Sequence, residues 1–209
     1  MLFRSKKTPL YIMQDFWHCL RLLWRDSLGQ VSLAVTTLFW GAAASLRLVV
    51  LEWAGPALGF TLSKATQLTA VTAVGVAFGS VLAAKFVALH HSVRVLPVGI
   101  FMGLGVMVIS VITDWRLAML TMVAVGAMGG FFVVPMNALL QHRGHLLMGA
   151  GHSIAVQNFN ENISILAMNG LYATMVRGGM QINGVTVVFG LIVAVAMFYL
   201  WRKHAHDQD

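Results

Sequence analysis

Between Gly149 and Asn169 the chain reads GAGHSIAVQNFNENISILAMN, and the middle of this stretch carries Gln157, Asn158, Asn160, Glu161, Asn162 and Ser164. The stretch is long enough to cross a bilayer as a helix, and its ends are apolar. A carboxylate and a set of amides in hydrocarbon are costly. They are kept where they face a bundle interior or a watery cavity, and there they mark a pathway or a binding site. The chemistry they offer is recognition, with hydrogen-bond donors and acceptors arrayed around one anionic group. At about 100° per residue, Asn160, Ser164, Gln157, Glu161, Asn158, Asn169 and Asn162 fill an arc of about 200°, and Phe159, Ile163, Leu166 and Gly170 fill the remainder. Amides that only knit helices together account for one or two such residues. The whole arc predicts a helix that lines a cavity.

A second chemical group lies upstream. Thr36, Trp40, Ala43, Ala44 and Arg47 share one face of an apolar helix. Arg47 sits too deep to be an ordinary end anchor, although its stem has the reach to snorkel outward. A guanidinium in this setting can grip a phosphodiester with two parallel hydrogen bonds, which a lysine does less well. Glu52 lies about 140° round the same helix and reads as an interfacial residue, not as a partner of Arg47. Further on, in GAMGGFFVVPMNALLQ, Gly126, Gly129 and Gly130 leave room for a close helix, and Pro135 frees backbone carbonyls. Asn137 and Gln141 follow on one face. Gly129, Gly130 and Pro135 are read as a gating region, with a static proline kink as the alternative. His142, His145 and His152 have a spacing that invites a metal. Without a neighbouring cysteine or carboxylate in sequence, and with Gly144, Gly149 and Gly151 between them, they read as a flexible cytoplasmic turn near lipid headgroups.

The elements that must position these residues are membrane helices. The chain is 58% hydrophobic and 10% charged, with a mean hydropathy of +0.79, a composition foreign to soluble domains. Six spans are expected: Val31 to Trp53, Gln67 to Leu89, Val95 to Ile112, Trp115 to Leu139, Ser153 to Val176 and Val185 to Trp201. Gly75, Gly79, Ala83 and Ala84 in the second, and Gly99, Gly103 and Gly105 in the third, recur at intervals that favour close helix packing. Residues 1–28 read as a cytoplasmic basic and amphipathic connector, residues 29–203 as the bundle and residues 204–209 as a short, disordered cytoplasmic tail. In the connector, Gln14, His18, Arg21 and Arg25 oppose Ile12, Phe16, Cys19, Leu20 and Leu23, with Trp17 and Trp24 at the flanks. This is the pattern of a helix lying in the membrane interface; the alternative is a soluble helix packed on a partner domain.

The net charge of +7 is not a nucleic-acid signal, because the cations sit at span ends and in short loops. Arg4, Lys6, Lys7, Arg21, Arg25, Lys85, Arg94, Arg143, Arg202 and Lys203 fall on one side, and Lys64, Arg116 and Arg177 on the other. The positive-inside rule then makes both termini cytoplasmic. Cys19 is the single cysteine, so no internal disulfide forms. No cleavable signal peptide precedes the first span, and targeting is expected to rest on the spans themselves. No cofactor is expected.

The runs LFWGAAASLR at 38–47, GAMGGFFVVPMNALLQHRG at 126–144 and GAGHSIAVQNFNEN at 149–162 resemble the carboxy-terminal half of the bacterial lysophospholipid transporter (LplT) family of the major facilitator superfamily. The resemblance covers the chain from the connector onward. It implies an all-α membrane protein whose six transmembrane helices form one half of a major facilitator fold. It further implies inward movement of lysophospholipids, chiefly lysophosphatidylethanolamine, across the bacterial inner membrane by alternating access, and supply of a cytoplasmic acyltransferase. Arg47 would then meet the phosphate, Glu161 or its amide neighbours the amine or glycerol hydroxyl, and Trp40, Asn137, Gln157, Asn158 and Asn162 would complete the binding wall. Family members have twelve spans, so an amino-terminal half or a second copy is the expected partner, alongside membrane lipids. Three other readings stand beside this one: a membrane-embedded metal-dependent lipid enzyme built on His142, His145, His152 and Glu161, a fragment of another major facilitator transporter, and a channel or structural subunit.

Overall fold

The computed structural model describes residues 9–206, and the described residues contain helices and no strand. The connector forms α1 (Pro9–Arg25). It is followed by α2 (Ser27–Leu58), α3 (Leu62–Phe86), a 3₁₀ helix (Leu89–Val95), α4 (Leu96–Ile109), α5 (Trp115–Met148), α6 (Ala150–Arg177) and α7 (Ile182–His206). Arg4, Lys6 and Lys7 of the cytoplasmic charge cluster, and 207–209 of the tail, lie outside the described residues. Among the described residues, five segments are long and apolar enough to cross a membrane: Ser27–Leu58, Leu62–Phe86, Leu89–Ile109, Trp115–Met148 and Ile182–His204. The chain is an all-α, multi-pass membrane protein. The sixth expected span, α6, has the length at 28 residues, but its central polar cluster keeps it out of the apolar set. It can cross only with that face covered.

Local signals account for the helix ends. Asp26 caps α2 by accepting from the Gly29 N–H at 2.8 Å, and Asp114 caps α5 by accepting from Arg116 N–H at 2.7 Å. Pro97 stands in the first turn of α4, where its missing N–H costs nothing. The expected flexible turn from His142 to His152 is not there. Helix α5 continues through His142 and His145 to Met148, and the only break is Gly149, at φ +83°, a backbone conformation that other residues rarely adopt. Gly144 is helical and gives room to Ser153; a Cβ there would stand 1.9 Å from the serine Oγ. Pro135 is likewise inside a helix assigned without interruption.

In a membrane, helices associate through close packing and not through hydrophobic transfer, and the tightest packing joins α3 to α5. A Cβ on Gly79 would lie 1.9 Å from the carbonyl oxygen of Ala127, and one on Gly130 would lie 2.1 Å from that of Val76. Gly75 and Gly126 repeat the arrangement on the same two helices. A second seam joins α4 to α7, where Gly103 and Gly190 abut backbone atoms. Around these seams Phe39, Leu96, Phe132, Met136, Phe189 and Met197 form the largest buried cluster, fed by α2, α4, α5 and α7.

The connector is docked as well as amphipathic. Cys19 and Leu23 are buried against Leu33, Leu140 and Val156, while Ile12, Met13 and Trp17 stay exposed, at the positions an interfacial helix presents to lipid. Arg143 of α5 ties this end together by donating through Nε to Asp26 Oδ2 at 2.9 Å and through its second nitrogen to Oδ1. At the other end of the chain, α7 extends past the expected start of the tail. His204 is buried, with Nε2 3.1 Å from the carbonyl oxygen of Ser27, and Lys203 donates to Gln30 Oε1 at 3.0 Å.

Gly79→Ala forces a methyl group into backbone that has no freedom to retreat, and is expected to cost about 1–3 kcal/mol, read as a lower melting temperature in detergent. The Arg143 hydrogen bonds hold the Asp26 carboxyl below its ordinary value of 3.8, against partial burial, with help from the Gly29 N–H. A carboxylate whose pKa falls on folding stabilises above that ordinary value and loses its contribution as pH drops through the lower folded value. Asp26→Asn keeps the helix cap but loses the ion pair. It is expected to destabilise by about 1–3 kcal/mol near neutral pH, and the gap from the wild type should narrow progressively in melts taken at pH values falling below 3.8.

Candidate functional site

The polar arc of α6 is divided by its neighbours. Ser153 and Gln157 are buried, Asn160, Glu161, Ser164 and Asn169 are half-buried, and Asn158 and Asn162 are exposed. The inward half is engaged. Gln157 donates through its amide nitrogen both to Asn137 Oδ1 on α5, at 3.0 Å, and to Glu161 Oε1 one turn ahead, at 2.8 Å. Ser45 of α2 donates to Asn169 Oδ1 at 2.9 Å, and Tyr172 donates to Glu52 across the same pair of helices. Gly41 of α2 sits directly on Ser164, where a Cβ would be 2.1 Å from the hydroxyl oxygen. Helix-knitting therefore accounts for Gln157, bonded to Asn137 of α5, and for Asn169, bonded to Ser45 of α2, while Ser164 is packed against Gly41. Asn160 and Asn162 bond back to the carbonyls of Val156 and Asn158 in their own helix, at 2.8 and 2.7 Å.

Arg47 is elsewhere. Ser45 faces α6, and Arg47, two residues on, points about 200° away from it round α2. It lines a cavity of about 430 Å³ between α2, α3, α4 and α5, and no residue of α6 is among those lining it. Among the described residues Arg47 has no ion-pair partner, and it is exposed, as is Trp40 on the same face of α2. The structure thus separates Arg47 from Glu161, which were expected to share one wall. Gly129 lines the Arg47 cavity, while Gly130 is spent on the α3 contact and Pro135 is buried in α5.

The rest of this cavity was not anticipated. Its polar lining beyond Arg47 is Thr66, Thr69 and Thr72, all on α3. Each hydroxyl donates to its own helix, to the carbonyls of Leu62, Thr66 and Leu68 at 2.9, 2.7 and 3.2 Å. Their hydrogens are used, and what they offer a ligand is acceptor lone pairs. Arg47, in contrast, is donor-only and cationic. The remaining wall is apolar, including Phe39, Leu46, Val76, Met102 and Val106. One cation, a row of neutral acceptors and an apolar wall are what an amphiphile with an anionic and a cationic group in its head requires. A spacing of i, i+3, i+6 in SKATQLTAVT was the available signal, since it sets three hydroxyls along one side of an otherwise apolar helix.

The histidines do not assemble as the metal-enzyme reading required. His142 and His145 end on α5, whereas His152, in the first turn of α6, meets Asp15 of α1 at 2.9 Å. Among the described residues, the three metal-ligating side chains that stand together are Asp15, Cys19 and His152, without Glu161.

No protein-family model and no solved structure matches the chain. Curated relatives do. It is 43% identical over 195 residues to the lysophospholipid transporter LplT of Enterobacter sp. (strain 638), covering 93% of this chain and 49% of that protein. It is 43% identical over 188 residues to the protein of the same name in Klebsiella pneumoniae (strain 342), and 40% identical over 195 residues to that of Shigella boydii serotype 4 (strain Sb227). The chain spans about half the length of these relatives. They are named as transporters and not as enzymes. Over some nine tenths of its length, the chain is a homologue of the proteins named lysophospholipid transporter LplT.

Proposed function

We propose that this chain is the carboxy-terminal half of a lysophospholipid transporter, working with a second six-helix half across the bacterial inner membrane. The observation that carries the reading is the pairing of Arg47 with Thr66, Thr69 and Thr72 over an apolar wall, in a chain homologous to proteins named for that substrate. In this reading Arg47 grips the phosphate with two charge-assisted hydrogen bonds. The threonine oxygens accept from the ethanolamine ammonium of lysophosphatidylethanolamine, the preferred substrate, and the single acyl chain lies against Leu46, Val76 and Met102.

Both termini are cytoplasmic in this scheme, as the basic residues at the span ends favour. The two halves rock about the site to carry substrate inward, where a cytoplasmic acyltransferase uses it. Exposed Asn158 and Asn162 on α6 and exposed Trp40 on α2 face the complementary half, because a lone half leaves polar groups of a membrane helix uncovered. Glu161, with one oxygen bonded to Gln157, keeps its other oxygen for that interface.

Uptake of radiolabelled lysophosphatidylethanolamine into spheroplasts that express both halves tests the assignment. Loss of a charged hydrogen-bonding group removes about 1.5–3 kcal/mol of binding. Arg47→Ala should therefore weaken apparent affinity by about 10- to 100-fold, and Arg47→Lys should fall in between. Unchanged uptake by Arg47→Ala would remove Arg47 from the substrate path.

A further inference from the structure

We propose that Asp15, Cys19 and His152 form a zinc site that staples the connector helix α1 to the first turn of α6. Asp15 and Cys19 lie one helical turn apart on α1, so both side chains reach from the same face. His152 arrives from a helix whose start is far away in sequence. The three ligand atoms all lie within 4.8 Å of one another. A tetrahedral zinc, with bonds of about 2.0–2.3 Å, holds its ligand atoms about 3.3–3.8 Å apart. The remaining closure is a matter of side-chain rotation. Asp15 and His152 have that freedom, with side chains 31% and 48% exposed.

The donor set selects the metal class. Thiolate sulfur, imidazole nitrogen and one carboxylate oxygen are zinc ligands, whereas calcium and magnesium call for all-oxygen cages. Carboxylate and thiolate together carry two negative charges, which balance the ion. Exposure of Asp15 and His152 leaves an entry path and room for water as the fourth ligand. Cys19, buried at 5% exposure, supplies the fixed wall.

The location gives the site a consequence. Alongside it, Phe16 of α1 packs edge-on to Phe159 of α6 with ring centroids 4.9 Å apart, so the ion would lock a contact that already exists. Zinc-bound, the connector is held to α6, the helix with the central polar cluster, by coordination; zinc-free, the contact falls back on the His152–Asp15 hydrogen bond, the ring contacts of Phe16 and Trp17 with Phe159, and the packing of Cys19 and Leu23 against Val156. This inference does not rest on the transport reading, since it concerns metal binding alone.

Cobalt(II) titration of the purified full chain, stripped with chelator, tests it. The expected result is one cobalt per chain, with d–d bands of tetrahedral coordination and a thiolate-to-cobalt charge-transfer band, both erased by added zinc. Cys19→Ser should abolish the charge-transfer band. D15N and His152→Ala should each weaken binding by at least about tenfold, the lower end of what loss of even an outer-shell partner costs, and a His142→Ala/His145→Ala double variant should bind as the wild type does. Zinc should raise the melting temperature of the wild type but not of His152→Ala, whose zinc-free melt is the baseline that accounts for the lost Asp15 bond. Absence of the charge-transfer band in the wild type, its persistence in Cys19→Ser, or an equal zinc shift in His152→Ala overturns the proposal.

Discussion

The constraint on which the structure depends is that α6 cannot present its polar groups to lipid. The polar and small-residue contacts around this helix answer that requirement. Gln157 is taken up by Asn137 of α5, Asn169 by Ser45 and Glu52 by Tyr172 across the α2–α6 pair, and Gly41 and Gly144 remove their own side chains so that Ser164 and Ser153 can approach. Polar bonds of this kind add only about 0.6 kcal/mol each between membrane helices. Their larger effect is directional, because leaving any one unmade strands a polar group in an apolar medium. They fix the rotation of α6, and with it which residues are left facing outward.

Once α2 gives one side to α6, its opposite side is free, and Arg47 lies there. The cavity it joins is bounded by α3 and α5, whose glycine seam brings their backbones into contact and sets Thr72 and Val76 next to Gly126. Small residues thus act at two levels. They let α3 and α5 pack, and by fixing that pair they define the far wall of the Arg47 cavity. Asp26 and Arg143 add a clamp at the end where α1, α2 and α5 converge, so the connector, the first span and the longest helix are tied together.

Much of this was legible in the sequence, for identifiable reasons. Helix positions follow from apolar runs, and the close-packing glycines of α3 and α5 from their spacing. What a helical projection cannot supply is the identity of the neighbour on each side. It placed Arg47 with Trp40 and Ala43 correctly on one face, yet gave no sign that Ser45 and Glu52 mark the side that α6 occupies. The expected turn at 142–152 failed because glycines were read as flexibility; Gly144 is instead a packing position inside a helix, and Gly149 alone makes the break. Thr66, Thr69 and Thr72 carry little signal in the sequence, because threonine in a membrane helix ordinarily bonds to its own backbone. Theirs do so, and still leave acceptor oxygens in the cavity.

The central claim is that substrate occupies the Arg47 cavity and not the polar face of α6. Photolabelling by lysophosphatidylethanolamine with a diazirine in its acyl chain, followed by mass spectrometry of the peptides, tests this most directly. The account predicts adducts on Leu46, Val76, Met102 and Met122, which line that cavity, and their loss when unlabelled substrate competes. Competable adducts confined to α6, around Asn158 and Asn162, would contradict it.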